Sequence, residues 1–186
     1  PIVIDPVGVS GASYRREKCL ELMKIIHPTC IRGNYSEIQA LLQNCGTVTG
    51  VDAAEDALAE AEETDLPELM KQYAKENQMI LVASGETDLI TDGSCVYRCH
   101  NGSPMMARIT GSGCMSTVML GAFLSAENSV ESAVACCAFT GIAGELAAKE
   151  MTVQKRGTMT FRNWFIDAVS LMTPEQLEHG TDVDWF

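Results

Sequence analysis

Short apolar segments alternate with segments of helical periodicity along the first half of the chain, and this order restricts the fold more than any other feature. The apolar segments are residues 1–4, 29–31 and 79–83. Each is apolar on both faces, which is typical of strands buried in a parallel sheet. Because parallel strands need crossover connections, we predict an α/β fold with a largely parallel central sheet flanked by helices.

Helical periodicity and capping residues locate the predicted helices. Residues 14–26 repeat apolar side chains at helical spacing, and Asn34 or Ser36 can cap the helix after the second strand. Further helices are predicted over residues 52–63, 66–76, 114–126, 129–149 and 161–172. No repeat or linker separates these elements, so we predict one domain spanning residues 1–186.

A turn signal interrupts the alternation of strands and helices. Residues 88–91 and 94–98 flank Asp92-Gly93, which predicts a β-hairpin with a two-residue turn. A parallel sheet that began at residues 1–4 would leave an edge or a face without partners. We therefore expect N-terminal strands that are missing from this chain.

Charge and composition exclude several classes of function. The 186 residues carry a formal net charge of −12, whereas proteins that bind nucleic acid present basic faces. No apolar run reaches the roughly 20 residues that cross a bilayer, so we expect no membrane association. The eight cysteines form no C-x-x-C pair and no Cys/His cluster, and we expect reduced thiols in a cytoplasmic protein.

The sequence Thr110-Gly111-Ser112-Gly113-Cys114 joins a glycine turn to a predicted helix. Its backbone N–H groups and the positive end of the helix dipole would form an anion site suited to a transferring phosphoryl group. A plain entry into a helix explains the motif equally well. The dipole favours a Cys114 thiolate, which could accept a proton from a substrate hydroxyl or hold that hydroxyl in line. The alternative is a cysteine that packs like alanine.

Polar side chains follow the three apolar segments, at the edge of the sheet where ligands of α/β folds bind. They are Asp5, Arg32, Asn34, Glu37, Ser84 and Glu86. Asp5 and Glu37 offer the oxygen ligands that Mg²⁺ prefers, directly or through water, and Arg32 could clamp a phosphate. Capping of the next helix is the alternative for Asn34 and Ser36, and for Glu37 a favourable position near the helix start is an equally good explanation.

Six short motifs in a fixed order resemble the ribokinase-like superfamily and, within it, the hydroxyethylthiazole kinase family. They are DPVG (5–8), IRGNYSE (31–37), SGETD (84–88), TDG (91–93), TGSGC (110–114) and GIAGE (141–145). Each motif is modest, but the ordered set is specific. The resemblance implies a ribokinase-like fold and phosphoryl transfer from ATP to the hydroxyl of 4-methyl-5-(2-hydroxyethyl)thiazole.

The resemblance also implies roles for individual residues. Arg32 and Ser84 match ATP-contacting positions, with Ser84 standing where the family usually has Thr. Asn34 and Glu37 match an N-x-x-E element tied to Mg²⁺ and phosphate, and Asp5 matches an acidic residue of the same site. Phosphate binding extends to Thr110, Ser112 and Gly113, and Gly111 falls where the thiazole is contacted.

Cys114 stands where most related sugar kinases have an Asp base, and thiazole kinases resemble this chain in having Cys there. Family resemblance further implies Mg²⁺ as cofactor, a homotrimer with active sites between subunits, and an N-terminal segment that contributes to the thiazole site. Three alternatives remain: a nucleotide-dependent lyase like the NAD(P)HX dehydratases, a phosphomethylpyrimidine kinase, and a non-catalytic nucleotide-binding protein.

Overall fold

Strands follow one another across the central sheet in the order in which they occur in the chain. The computed structural model describes residues 1–43 and 66–186. The strands in these ranges are β1 (Val3–Ile4), β2 (Cys30–Asn34), β3 (Ile80–Ser84), β4 (Asp88–Thr91), β5 (Val96–Cys99) and β6 (Val183–Trp185). β1, β2 and β3 pair in parallel, and the remaining neighbours pair antiparallel.

The predicted α/β class is confirmed, but the sheet is mixed, and its parallel part is confined to β1, β2 and β3. Three residues join β3 to β4 and four join β4 to β5. Connections this short cannot cross over the sheet, so the strands they join must run antiparallel.

Helices connect the parallel strands and cover both faces of the sheet. They are α1 (Ser13–Ile26), α2 (Tyr35–Leu42), α3 (Leu66–Asn77), α4 (Ser112–Ala126), α5 (Val130–Val153), α6 (Thr158–Leu171) and α7 (Pro174–Gly180), with a 3₁₀ turn at Met106–Arg108. Ser129 caps α5 as predicted, with its hydroxyl accepting from the Ser132 N–H. The helix predicted over 52–63 lies outside the described residues. Neither α7 nor β6 was predicted from the sequence.

The prediction of a two-residue hairpin turn is wrong, because β4 and β5 are joined by residues 92–95. The Thr91 hydroxyl closes this wider loop. It donates to the Cys95 carbonyl at 2.6 Å and accepts from the Gly93 N–H at 3.0 Å. Gly93 has a φ of 96°, which only glycine adopts without strain.

Alternate side chains along the strands supply two separate cores. Ile31 and Leu81 face the layer formed by α1, α2 and α3. Cys30, Ile80 and Val82 face the opposite layer, formed by α4 and α5. The parallel strands are therefore buried on both faces, which explains why their sequences are continuously apolar.

α5 is the central helix of the second layer. It has 24 residues and is long and apolar enough to cross a membrane by length and composition, although no apolar run of that length was expected from the sequence. However, 61% of its apolar stretch is buried inside the fold. It packs against α4, α6 and the strands β3 to β5, which account for its apolar surface.

Two glycines of α5 let the segment after β5 lie directly on the helix. A Cβ at Gly141 would lie 2.5 Å from the Asn101 carbonyl oxygen, and one at Gly144 would lie 2.5 Å from Met106 Sδ. Buried Asn101 donates through Nδ2 to Glu145 Oε1 at 3.1 Å and to the Gly180 carbonyl at 2.8 Å. The GIAGE motif thus positions residues 101–106 by close packing.

We expect Gly141→Ala to lower the free energy of unfolding by about 2 kcal/mol, because its methyl group would overlap the Asn101 backbone. Gly121→Ala is the matched control in α4, where the nearest atom to an added Cβ is Val3 Cγ2 at 4.0 Å. The control should gain about 0.5–1 kcal/mol from the higher helix propensity of alanine. Equal urea midpoints for the two variants would contradict this packing.

Candidate functional site

A cavity of about 730 Å³ lies where β2 and β3 end and α4 begins. Its walls include six of the candidate residues from the sequence: Arg32, Asn34, Ser84, Glu86, Ser112 and Gly113. This volume suits a small-molecule ligand. Two hollows of about 820 and 800 Å³ lie at the opposite ends of the strands, beside Thr29 and Met79, and contain none of the predicted residues.

Arg32 ties the end of β2 to the first turn of α4. Its Nη1 donates to the Gly113 carbonyl at 3.3 Å and lies 3.4 Å from Thr117 Oγ1. The Thr117 hydroxyl donates to Asp5 Oδ2 at 2.9 Å. Thr117 was not among the residues predicted from the sequence, although it lies one helical turn after Gly113 on the same face of α4. The structure thus brings Asp5, Arg32 and the glycine turn together, as predicted.

The charge of Arg32 is not neutralised by a side chain in the described ranges, where no carboxylate forms an ion pair with it. Its guanidinium carries five N–H donors, and the two contacts above both involve Nη1. Donors therefore remain for an anion in the cavity.

Asn34 and Glu37 form a capping box at the start of α2. Asn34 Oδ1 accepts from the Glu37 N–H at 2.9 Å, and Glu37 Oε2 accepts from the Asn34 N–H at 3.0 Å. The second carboxylate oxygen of Glu37 accepts from the Gly8 N–H at 2.8 Å. Glu37 is buried and serves as a helix cap that also holds the loop after β1. Its role as a metal ligand stays a prediction.

The glycine turn has the geometry of an anion site. Gly111 caps α4 with a φ of 95°, and α4 begins at Ser112. The N–H groups of this first turn have no acceptor within the helix. The Ser112 hydroxyl donates to the Met106 carbonyl at 2.8 Å, so Ser112 can serve an anion through its backbone. Thr110 is exposed, and neither Thr110 nor Gly111 lines the cavity.

Cys114 lies on the other side of the same turn. It is exposed and lines an apolar groove of about 380 Å³ between α4 and α6, together with Met115, Val118, Phe165 and Ile166. Gly113 faces the cavity, whose walls carry charged and polar side chains among apolar ones, and Cys114 faces the wholly apolar groove, although the two residues are adjacent in sequence. One turn of chain therefore separates a cavity with charged and polar groups from an apolar groove.

The β3–β4 turn forms another wall of the cavity. The Ser84 hydroxyl donates to the Gly33 carbonyl at 3.2 Å, which joins the ends of β3 and β2. The Tyr35 hydroxyl donates to the Thr87 carbonyl. A Cβ at Gly85 would lie 3.0 Å from the Tyr35 ring, so Tyr35 packs directly on this turn.

Asp88 is a carboxylate of this wall that the sequence analysis gave no role. It accepts from the Gly85 N–H at 3.0 Å. Burial raises the pKa of Asp88, while the Gly85 hydrogen bond and the charge of Arg32 oppose that shift. Burial also raises the pKa of Cys136 in the cavity floor to about 12, so this thiol stays neutral.

Among the described residues, no three His, Cys, Asp or Glu side chains form a cluster that could hold a metal ion alone. Mg²⁺ usually keeps several waters and takes one or two carboxylates plus substrate phosphates, so a complete protein cage is not required. Asp5 is connected to the first turns of α4 through the hydrogen bond that its carboxylate accepts from Thr117.

Comparison with known proteins gives a consistent result. The model of the hydroxyethylthiazole kinase family matches residues 1–175. Hydroxyethylthiazole kinase 1 of Methanosphaera stadtmanae is 38% identical over 177 residues, covering 91% of this chain and 62% of the relative. Hydroxyethylthiazole kinase of Desulfotalea psychrophila is 36% identical over 181 residues, covering 97% of this chain and 63% of the relative.

The solved structure of hydroxyethylthiazole kinase from Pyrococcus horikoshii superposes with a TM-score of 0.79 at 26% identity. The match covers 100% of this chain and 65% of that structure. The chain therefore spans a little under two thirds of the length of these relatives.

Asp88→Asn should change the dependence of stability on pH. Because burial raises the folded-state pKa of Asp88, its contribution to stability is present below the unfolded pKa and is lost as pH rises through the folded pKa. We expect the melting temperature of D88N, relative to the unsubstituted protein, to increase between about pH 3 and pH 7. The exposed Asp167 of α6 provides the control variant D167N. A trend of the same size in D167N would contradict the assignment.

Proposed function

Because this chain belongs to the hydroxyethylthiazole kinase family, we propose that the protein transfers the γ-phosphoryl group of ATP to the hydroxyl of 4-methyl-5-(2-hydroxyethyl)thiazole, a step of thiamine synthesis. One observation carries the proposal. The turn from Gly111 to Cys114 has a cavity with charged and polar side chains on one side and an apolar groove on the other. ATP binds in the cavity, the thiazole ring in the groove, and the reacting groups meet at the turn.

The phosphate end of ATP lies against Arg32 and the N–H groups of Ser112 and Gly113. A guanidinium and the N-terminus of a helix both stabilise the charge that spreads over the phosphoryl oxygens during transfer. Asn34 and Ser84 contribute polar contacts at the strand ends. A phosphate contact of Thr110 rests on the family resemblance alone, because Thr110 does not line the cavity. The protein is acidic overall, so these local groups supply the attraction for an anionic substrate.

Mg²⁺ fits this arrangement as the partner of the phosphates. Asp5 supplies a carboxylate beside the glycine turn, and Glu37 supplies negative charge below Asn34. Both carboxylate oxygens of Glu37 already accept hydrogen bonds from backbone N–H groups. Glu37 would therefore contact Mg²⁺ through a water molecule rather than directly. The ion would neutralise phosphate charge, while the chain's own residues orient the phosphates.

A contact of Gly111 with the thiazole rests on the family resemblance alone, because Gly111 does not line the groove. Cys114 holds the hydroxyl of the thiazole alcohol in line with the γ-phosphorus. The hydroxyl oxygen forms the new P–O bond as the bond to the β-phosphate oxygen breaks and ADP leaves. A thiolate beside phosphates is electrostatically unfavourable, so the hydroxyl proton passes to the transferred phosphoryl group. Cys114 is accordingly a positioning group in this mechanism.

We also propose a homotrimeric, cytoplasmic enzyme in which a second subunit covers the groove. Exposed apolar side chains border it, with Val118 75% and Ile166 45% exposed. Burial of such a patch against another subunit is favourable.

The direct test measures ADP release by the complete gene product with the thiazole alcohol, ATP and Mg²⁺, followed by identification of the phosphorylated product. We expect Arg32→Ala to raise the KM for ATP about 10- to 100-fold, since a hydrogen bond to a charged group is lost. Arg16→Ala, on α1 outside the cavity, is the control. Absence of turnover that depends on the thiazole would refute the proposal.

Replacing the thiol of Cys114 tests the positioning role. We expect Cys114→Ala to lower kcat at least about tenfold, with an unchanged KM for ATP, because the hydroxyl is no longer held in line. Cys95→Ala, in the β4–β5 loop, provides a matched control. Normal turnover of C114A would remove Cys114 from the reaction.

A further inference from the structure

The C-terminal strand β6 is a part of the fold to which neither the motifs nor the family match assigns a role. It lies beyond residue 175, where the match to the family model ends. It pairs with β5 through Arg98↔Asp184 and Cys99↔Val183. The Arg98 guanidinium lies 4.8 Å from the Phe186 ring centroid, which adds a cation–π contact. β6 is thus held against β5 by both backbone and side chains.

A series of hydrogen bonds connects β6 to the β3–β4 turn. Asp184 Oδ1 accepts from Arg98 Nε at 2.5 Å, and Asp184 Oδ2 lies 3.1 Å from His100 Nε2. The other ring nitrogen of His100, Nδ1, lies 3.2 Å from Thr87 Oγ1. Four side chains from three parts of the sequence are therefore connected in series.

This series of hydrogen bonds ends at the proposed ATP cavity. His100 lines the cavity, and so do Ser84, Gly85 and Glu86, the residues that precede Thr87. The Tyr35 hydroxyl donates to the Thr87 carbonyl, so Thr87 is held from two directions. The position of the turn, which carries Gly85 and Glu86 in the cavity wall, depends in part on what holds Thr87.

Asp184 can fix the orientation of the His100 ring. The hydrogen bonds from Arg98 and His100 lower the pKa of Asp184, so it stays ionised at neutral pH. An ionised carboxylate accepts from Nε2–H, which leaves Nδ1 of the neutral ring to accept from the Thr87 hydroxyl. A carboxylate that fixes the tautomer and rotation of a histidine in this way orients whatever the histidine contacts.

We infer that Asp184 is a positioning residue for nucleotide binding, which acts through His100 and Thr87 on the β3–β4 turn. The inference rests on the proposed function, because it takes the 730 Å³ cavity to be the ATP site. Without Asp184 the ring and the turn gain freedom, which ATP binding must then remove. The KM for ATP should respond, while the transfer step at the Gly111–Cys114 turn should not.

Steady-state kinetics of the complete gene product test the inference. Asp184→Asn is expected to raise the KM for ATP about fivefold, the size associated with an exposed ion pair, with kcat within about twofold. Asp184→Glu should restore most of the loss. Asp182→Asn is the matched control, because Asp182 is exposed on the same segment and its carboxylate is not in the chain of hydrogen bonds.

Thr87→Val removes the hydrogen bond at the other end of the series, between Thr87 and His100, and leaves β6 intact. It should raise the KM for ATP as Asp184→Asn does, and the double variant should be no worse than the single variants. Additive effects would mean that β6 acts only through general stability and would overturn the inference. Nitrogen NMR shifts of His100 should indicate the Nε2–H tautomer in the unsubstituted protein and a mixture in D184N.

The outcomes separate the inference from the proposed function. If the unsubstituted protein phosphorylates the thiazole and D184N keeps its KM for ATP, the inference is wrong and the function stands. If D182N is impaired as much as D184N, the inference is also wrong. If the unsubstituted protein shows no turnover, the proposed function fails, and the inference fails with it.

Discussion

The hydrogen bond from Arg32 to the Gly113 carbonyl is the contact on which the site depends. It joins the end of a buried strand to the first turn of α4, and Thr117 extends the connection to Asp5. A carbonyl in the first turn of a helix normally accepts only the backbone N–H four residues further on. Here it also accepts from Arg32, which holds the guanidinium against the start of α4. The cation and the N–H groups of that turn then face the same cavity.

The sheet provides the rigid support for this arrangement. β2 and β3 pair over Cys30↔Ile80 to Asn34↔Ser84, so their ends lie side by side and present Arg32, Asn34 and Ser84 at one edge. α4 and α5 cover one face of these strands, and the glycines of α5 let residues 101–106 close the cavity from the side. Its walls therefore come from elements far apart in sequence, held by packing that leaves little room for change.

Much of this arrangement could be predicted from the sequence, because ends of neighbouring parallel strands must meet. Asp5 and Arg32 lie close together for that reason. The glycine turn follows no parallel strand and joins them because α4 packs against the sheet. The roles of Thr117, Asp88 and His100 could not be predicted, since each depends on the register of side chains across elements. β6 was not predicted because it has only three residues, of which Trp185 is exposed, and these lack the apolar pattern of a buried strand. The apolar groove at Cys114 was not predicted, because the sequence does not show where α6 lies relative to the first turn of α4.

The proposed reaction depends on one turn of chain that has a cavity with charged and polar side chains on one side and an apolar groove on the other. A crystal structure of the complete gene product with ADP, Mg²⁺ and the thiazole alcohol tests it most directly. The account predicts the terminal phosphate within about 3 Å of the Gly113 N–H, and the thiazole hydroxyl beside Cys114. A nucleotide bound instead in the hollows beside Thr29 and Met79, with the cavity at Arg32 empty, would contradict it.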